Sequence, residues 1–250
     1  MKALITGASS GIGLEMAKYL ASKKMELILV ARDKGRLEKL RNTLPTKVTV
    51  IVADLSNEQK VKELYTFIKR ENIDILINNA GFGKFGNFTD TNLNDELEMI
   101  DTNIKAVHIL TKLVLKDMDE KNSGYILNVA SSAAFQPGPL MATYYATKSY
   151  VYQLSEAIYY EEKKKGKNVH ISVLCPGPVD TNFNNVAGVK FGVKPLTSEY
   201  VAKYAIDKMF KEKLLIIPGF KMRCARFFGR FIPNKCMLKM IYNIQKKKAD

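Results

Sequence analysis

Lys2-Ala-Leu-Ile-Thr6-Gly7-Ala8-Ser9-Ser10-Gly11-Ile12-Gly13 decides the architecture. A short apolar run ends in a glycine-bearing turn, and an amphipathic stretch then continues to about Lys23. The order is strand, tight turn, helix. Gly7 can take backbone angles closed to other residues, Gly11 lets the main chain approach a pyrophosphate, and Gly13 lets the helix pack close to the strand. Unpaired N–H groups at a helix start, reinforced by the helix dipole, favour a phosphate there. Gly7, Ala8, Ser9, Ser10, Gly11, Ile12 and Gly13 are therefore candidate cofactor-binding residues.

The second apolar run, Leu27-Ile28-Leu29-Val30, leads into Ala31-Arg32-Asp33, eighteen residues past Gly13. An acidic side chain near this distance normally holds the adenosine ribose hydroxyls. Here Ala31 stands at the expected acidic position and Arg32 follows it. A guanidinium matches a ribose 2′-phosphate through charge-assisted hydrogen bonds. The expected cofactor is NADP rather than NAD, with Arg32 as the phosphate partner. The alternatives are a solvated Arg32, and an Asp33 that either holds ribose or caps the next helix.

Further along, apolar runs alternate with helical patterns. Strands are expected near 2–6, 25–31, 47–52, 74–78, 123–129, 168–174 and 213–217, and helices near 11–23, 33–43, 56–70, 91–118, 142–164 and 197–212. Near-continuous apolar strands separated by helices imply an α/β fold of the doubly wound, Rossmann-like kind: about seven parallel strands covered on both faces. At 250 residues one catalytic domain is expected over 1–218, with 219–250 as a helical extension of it. The stretch 178–196 lacks clear periodicity, as expected of a lid or binding loop.

Proton-transfer chemistry is suggested by Tyr144 and Lys148, four residues apart, with Ser131 thirteen residues before Tyr144. On a helix, positions four apart share a face. A phenol has an ordinary pKa of about 10, and a nearby ammonium favours phenolate, so Lys148 is expected to lower the Tyr144 pKa. His108 and His170 have no ligand-like spacing, and Cys175, Cys224 and Cys236 form no metal pattern or even-numbered framework. No metal is expected, and the cysteines read as buried or half-buried small apolar residues in a reducing, cytoplasmic setting. The chain starts on its first strand and has no run long enough for a spanning helix, so no signal peptide or membrane span is expected.

The net charge is +14, and residues 219–250 carry nine Lys or Arg against one acid. Phe220, Cys224, Phe227, Phe228 and Phe231 recur with a helical period, and Arg223, Arg226 and Arg230 fall on the other side. After Pro233, a natural helix start, Met237, Leu238, Ile241 and Ile244 form a second apolar stripe. Such helices can cover the active-site mouth or a subunit interface, or lie peripherally on an anionic membrane such as the inner membrane surface. No recognisable nucleic-acid module accompanies the basic segment, so nucleic acid is not an expected partner.

Thr6–Gly13, Asp54-Leu55, Asn78-Asn79-Ala80-Gly81, Asn103, Ser131, Tyr144-x-x-x-Lys148 and Pro176–Thr181 occur in order, and with them the chain resembles the single-domain NAD(P)-dependent short-chain dehydrogenase/reductase family over about residues 1–217. Asn128–Ser132 and Tyr145–Val151 are similar to the ketone- and hydroxysteroid-reducing members. The resemblance implies that Tyr144 is the acid–base residue and Ser131 holds the reacting oxygen. It also implies that Lys148 tunes Tyr144 and binds the nicotinamide ribose, while Asn103 holds a water linking Lys148 to solvent. Asp54 and Leu55 would border adenine, Asn79, Ala80 and Gly81 would line the cofactor crevice, and Val179 and Thr181 would meet the nicotinamide end. The implied reaction is hydride transfer between nicotinamide and a carbonyl or secondary alcohol, in a homodimer or homotetramer. Mainly apolar pocket candidates (Phe82, Phe85, 133–141 and 183–193) point to an apolar ketone. The competing readings are a non-catalytic NAD(P)-binding scaffold or redox sensor, and a membrane-surface reductase of lipidic ketones.

Overall fold

The computed structural model describes residues 1–181, 183 and 195–246. Strands β1 (Lys2–Thr6), β2 (Glu26–Ala31), β3 (Val48–Val52), β4 (Ile75–Asn78), β5 (Gly124–Val129) and β6 (Val169–Leu174) alternate with helices α1 (Gly11–Ser22), α2 (Lys34–Thr43), α3 (Glu58–Ile68), α4 (Leu93–Ile100), α5 (Val107–Lys121) and α6 (Ala142–Lys165). A short pair follows, β7 (Val179–Asp180) with β8 (Leu196–Thr197), and then α7 (Ser198–Met209) and β9 (Leu215–Ile216). Helices α8 (Phe220–Gly229) and α9 (Asn234–Lys246) end the described chain.

The central sheet has seven strands in the order β3-β2-β1-β4-β5-β6-β9, all parallel. Side chains alternate across it, as the two-residue period of a strand requires. Ala3 and Ile5 of β1 join a core with Met16 and Leu20 of α1 and Val201 and Ala205 of α7. Leu4 points to the opposite face, with Val61 of α3 and Leu110 and Val114 of α5. Both faces are thus covered, which explains why the strands read as continuous apolar runs. The strand order reverses between β1 and β4, and open α/β sheets form their ligand crevice at such a point.

The ends of β1 and β4 are bolted together by polar groups. The N–H groups of Asn79 and Ala80 both donate to Thr6 Oγ1 at 3.0 Å, and Asn79 Nδ2 donates to Thr6 O at 3.0 Å and Gly7 O at 3.1 Å. Gly7 has φ +65°, and a Cβ on Gly13 would lie 2.4 Å from Asn79 Nδ2 and 2.5 Å from Gly7 O. The spacing of those glycines follows from this close approach rather than from loop flexibility.

The helix expected over 91–118 is not uniform. Its middle, Asp101–Ala106, is a π-helical turn joining α4 to α5, a distortion that often marks functional sites. The last strand expected at 213–217 narrows to Leu215–Ile216. The expected irregular stretch 178–196 contains β7 at one end and the start of β8 at the other, and most of the remainder lies outside the described residues. Cys175 is buried and Cys224 half-buried, as expected, but Cys236 is exposed, which corrects the expectation for that residue. Cys236 sits on the solvent side of α9, whose inner side is formed by Met237, Ile241 and Gln245.

A buried polar network ties four elements behind the crevice. Asn78 Nδ2 donates to Asn128 Oδ1 at 2.9 Å and Thr111 Oγ1 at 3.0 Å, and Asn128 Nδ2 donates to Ser155 Oγ at 3.0 Å. A buried donor stripped of its partner costs about 1–3 kcal/mol, beyond the cavity left by the lost side chain. Asn128→Ala should therefore lower unfolding stability by about 3 kcal/mol in chemical denaturation. A change within about 0.5 kcal/mol, as at an ordinary surface position, would show that the network does not bear on stability.

Candidate active site

A cavity of about 460 Å³ runs along the carboxyl ends of the strands. One end is the glycine turn after β1, lined by Gly7, Ser9, Ser10, Gly11 and Ile12, and beside it lie Ala31, Arg32, Asp54 and Leu55. The middle carries Asn79, Ala80 and Gly81 after β4. The far end gathers Ser131, Tyr144, Lys148, Val179 and Thr181. Three of the expected catalytic and cofactor-binding residues do not line it: Ala8 and Asn103 are fully buried, and Gly13 lies under the turn against Asn79.

Three elements fix the polar side chains at and behind the far end. Ser131 follows β5 in extended conformation, and its Oγ accepts from Ala133 N at 3.1 Å. Tyr144 and Lys148 are one turn apart on α6, both buried, and Lys148 Nζ donates to Val129 O at 3.0 Å. Asn103, on the π-helical turn, donates to Phe82 O at 2.9 Å and Thr147 Oγ1 at 3.0 Å, and its Oδ1 accepts from Phe82 N at 3.1 Å. Asn103 therefore clamps the strand-end segment that carries Gly81. A Cβ on Gly81 would lie 2.8 Å from Asn103 Oδ1 and 3.2 Å from Lys148 Nζ, so both polar groups converge on that glycine.

Burial dominates the proton affinities. It pushes the Tyr144 phenol well above its ordinary value, while a hydrogen bond from the Ser131 hydroxyl works the other way. The expectation that Lys148 lowers this pKa is corrected by the protein's own electrostatics. The lysine Nζ lies 5.9 Å from the Tyr144 ring centre and does not offset desolvation. Lys148 is itself drawn down to about 8 by burial. No carboxylate pairs with it among the described residues. An ammonium has three donors and one is used on Val129, so Lys148 retains donor capacity towards the cavity it lines. Below its pKa of about 8 the site holds a neutral phenol beside a positive lysine.

At the opposite end, Arg32 is 65 % exposed and pairs with Glu98 at 2.8 Å. Exposed pairs of this kind contribute about 0–1 kcal/mol, so the guanidinium is easily diverted to a stronger partner. Asp33 caps α2 by accepting from Arg36 N at 2.9 Å and also lines the cavity. Asp54 Oδ1 accepts from Ser56 N and Ser56 Oγ at 3.0 and 2.8 Å and faces the cavity.

Several lining residues escaped sequence reasoning. Arg36 lies in the first turn of α2, four residues beyond Arg32, and borders the same end. Thr102 shares the π-helical turn with Asn103. Tyr145 adjoins Tyr144, and Gln245 of α9 donates to its hydroxyl across 100 residues of chain, a contact no local pattern announces. Phe82 and Phe183 line the cavity, and the Phe183 ring centre is 5.3 Å from that of Tyr144. Phe85 supports from behind with Met99 and Met141. The candidates at 184–193 lie outside the described residues. His108 pairs with the Tyr150 hydroxyl and His170 sits beside Asn168, neither lining the cavity. Among the described residues no group of three or more His, Cys, Asp or Glu is placed to hold a metal ion, and no helix is long and apolar enough to cross a membrane.

Comparison with known proteins accounts for this arrangement. The family model described as short chain dehydrogenase matches residues 1–190. An uncharacterized short-chain type dehydrogenase/reductase of Sinorhizobium fredii is 38% identical over 193 residues, covering 77% of this chain and 75% of that protein. Among solved structures, a short-chain dehydrogenase from Sphingobium yanoikuyae in complex with NADPH superposes with a TM-score of 0.84 at 29% identity, covering 92% of each chain. A bulky-bulky ketone specific alcohol dehydrogenase from Comamonas testosteroni superposes with a TM-score of 0.78 at 30% identity, covering 88% of this chain and 86% of that one. The chain belongs to the short-chain dehydrogenase family and is an oxidoreductase of that family.

Proposed function

We propose that the protein is an NADP-dependent reductase of apolar ketones, with Tyr144 as the proton donor. The observation that carries this reading is the gathering of Ser131, Tyr144 and Lys148 at one end of a single cavity whose other end is the glycine turn and Arg32. The residues fit the cofactor. The turn presents the start of α1, with Gly7 at φ +65° and Gly11 at φ +55°, so backbone N–H groups and the helix dipole face a pyrophosphate. Ala31 leaves the acidic position empty of charge, and Arg32 and Arg36 supply two cations where a 2′-phosphate would lie. When bound, NADPH supplies the hydride that is added to the substrate carbon.

The chain's own residues do the rest. Ser131 donates a hydrogen bond to the carbonyl oxygen and holds it against the Tyr144 phenol. Burial keeps that phenol protonated at neutral pH, which suits it to give its proton to an oxygen gaining negative charge. Lys148, charged below about 8, places a positive group where that charge passes into the phenolate and donates to the nicotinamide ribose. Asn103 positions Gly81 and Phe82 beside Lys148, and a water held there would reconnect the lysine to solvent. Among the described residues the pocket wall of Phe82, Met141, Tyr145 and Phe183 is apolar or aromatic, and the Comamonas neighbour's selectivity for bulky ketones agrees with an apolar carbonyl substrate.

Tyr144→Phe should reduce turnover by roughly 10²–10⁴-fold, the usual value of one acid–base group, with NADPH affinity nearly unchanged by fluorescence titration. Retention of near-normal turnover would remove Tyr144 from its assigned role. Arg32→Ala combined with Arg36→Ala should weaken NADPH binding by about tenfold or more and leave NADH binding unaltered. Equal losses for both nucleotides would place the phosphate elsewhere.

A further inference from the structure

Helix α8 sits on the protein the wrong way round for an ordinary amphipathic helix. Its apolar stripe, continued by Phe231 just past its end, faces outward: Phe220, Phe227, Phe228 and Phe231 are 71%, 57%, 63% and 72% exposed. Phe227 contacts Phe228 and Phe231 with ring centres 5.3 and 5.7 Å apart, so these three form one patch. Large aromatic groups displayed together mark an interaction surface.

The inner side of the helix is what fixes this orientation. Arg226 donates to the Tyr152 hydroxyl at 2.9 Å, and its guanidinium lies 4.9 Å from the centre of the Phe135 ring. Met222 packs on Gly177, where a Cβ would lie 2.5 Å from Met222 Cε. Rolling the phenylalanines inward would break these contacts, so the aromatic face is held outward.

Charge selects the partner. Residues 219–246 hold seven Lys or Arg and no Asp or Glu. Arg223 lies 5.7 Å over the Phe220 ring, and Lys221 and Arg230 are exposed. A second copy packed symmetrically through this same face would bring two such cationic surfaces together without an opposing acid, and like charges across an interface are unfavourable. Exposed aromatics set among cations on a helix lying along a surface fit the interface of an anionic bilayer, where the rings enter the headgroup boundary and each cation attracts lipid phosphates or carboxylates.

We propose that α8 docks this protein onto an anionic lipid surface. The docking helix is continuous with the pocket: Gly177, beneath Met222, lines the cavity, and α9 adds Gln245 to its wall. Docking therefore sets the reductase beside a reservoir of amphiphilic molecules, which extends the function proposed above towards membrane-borne ketones.

The test is co-sedimentation of the full-length protein with phosphatidylcholine vesicles, with and without phosphatidylserine. This binding readout is independent of turnover, so a failure of the reductase reading leaves it intact. Wild type should bind the anionic vesicles at least about tenfold more tightly than neutral ones, and added salt should weaken the binding. A variant combining Phe220→Ser, Phe228→Ser and Phe231→Ser should bind at least about tenfold more weakly at unchanged melting temperature, because these side chains are exposed. A second variant, Lys221→Gln with Arg223→Gln and Arg230→Gln, should lose the anionic preference while Arg226 still pins the helix. Wild type remaining in the supernatant, or both variants binding as wild type does, would overturn the proposal. So would binding to single-stranded poly(U) in place of vesicles, or a dimer that the phenylalanine variant dissociates.

Discussion

Two backbone N–H groups, those of Asn79 and Ala80, converge on the single hydroxyl of Thr6, and the Asn79 amide reaches back to the carbonyls of Thr6 and Gly7. This joint locks the ends of β1 and β4 together at the point where the strand order reverses. Buried polar groups left without partners cost far more than the bonds contribute when made, so the joint tolerates little rearrangement. It leaves no space for a side chain on Gly13. The start of α1 is thereby pressed against the sheet with its N–H groups directed into the crevice. The far end of the same crevice is set by β5 and α6, which β4 positions through Asn78, Asn128 and Ser155.

Much of this was legible because it repeats locally. A two-residue alternation cannot show in strands buried on both faces, but the apolar runs between helical stretches place all seven sheet strands, the last of them longer than it proves, and the glycine turn orders the first βα unit. Tyr144 and Lys148 share a helix face by spacing alone, and Ser131 is brought to them by the return of α6 past the end of β5, where Lys148 Nζ donates to Val129 O. What escaped depends on long-range packing. The π-helical turn that presents Asn103 leaves a continuous helical pattern in the sequence. Gln245 reaches Tyr145 only because α9 folds back across the pocket. The orientation of α8 was also hidden, since periodicity separates its arginines from its phenylalanines but does not say which face turns inward. Arg226 decides that by stacking on Phe135 and bonding Tyr152.

The electrostatics also differ from what spacing suggests. A lysine four residues from a tyrosine reads as a device to ionise the phenol, yet both groups are buried and desolvation opposes each charged form. The result is a neutral phenol and a lysine drawn down to about 8, the protonation states that the proposed proton donation requires. The strength of the arrangement comes from exclusion of water around these groups, which magnifies every charge that develops during reaction.

The central claim, that this cavity transfers a hydride to a carbonyl carbon while Tyr144 delivers the proton, is tested most directly by isotope transfer. The full-length protein would be incubated with NADPH deuterated at the reactive nicotinamide carbon and with a set of apolar ketones, and the products examined by mass spectrometry. The account predicts an alcohol carrying one deuterium on the carbinol carbon, derived from only one of the two faces of the nicotinamide. Saturable NADPH binding with no deuterium in any product would contradict it, and would leave a nucleotide-binding scaffold as the reading of the site.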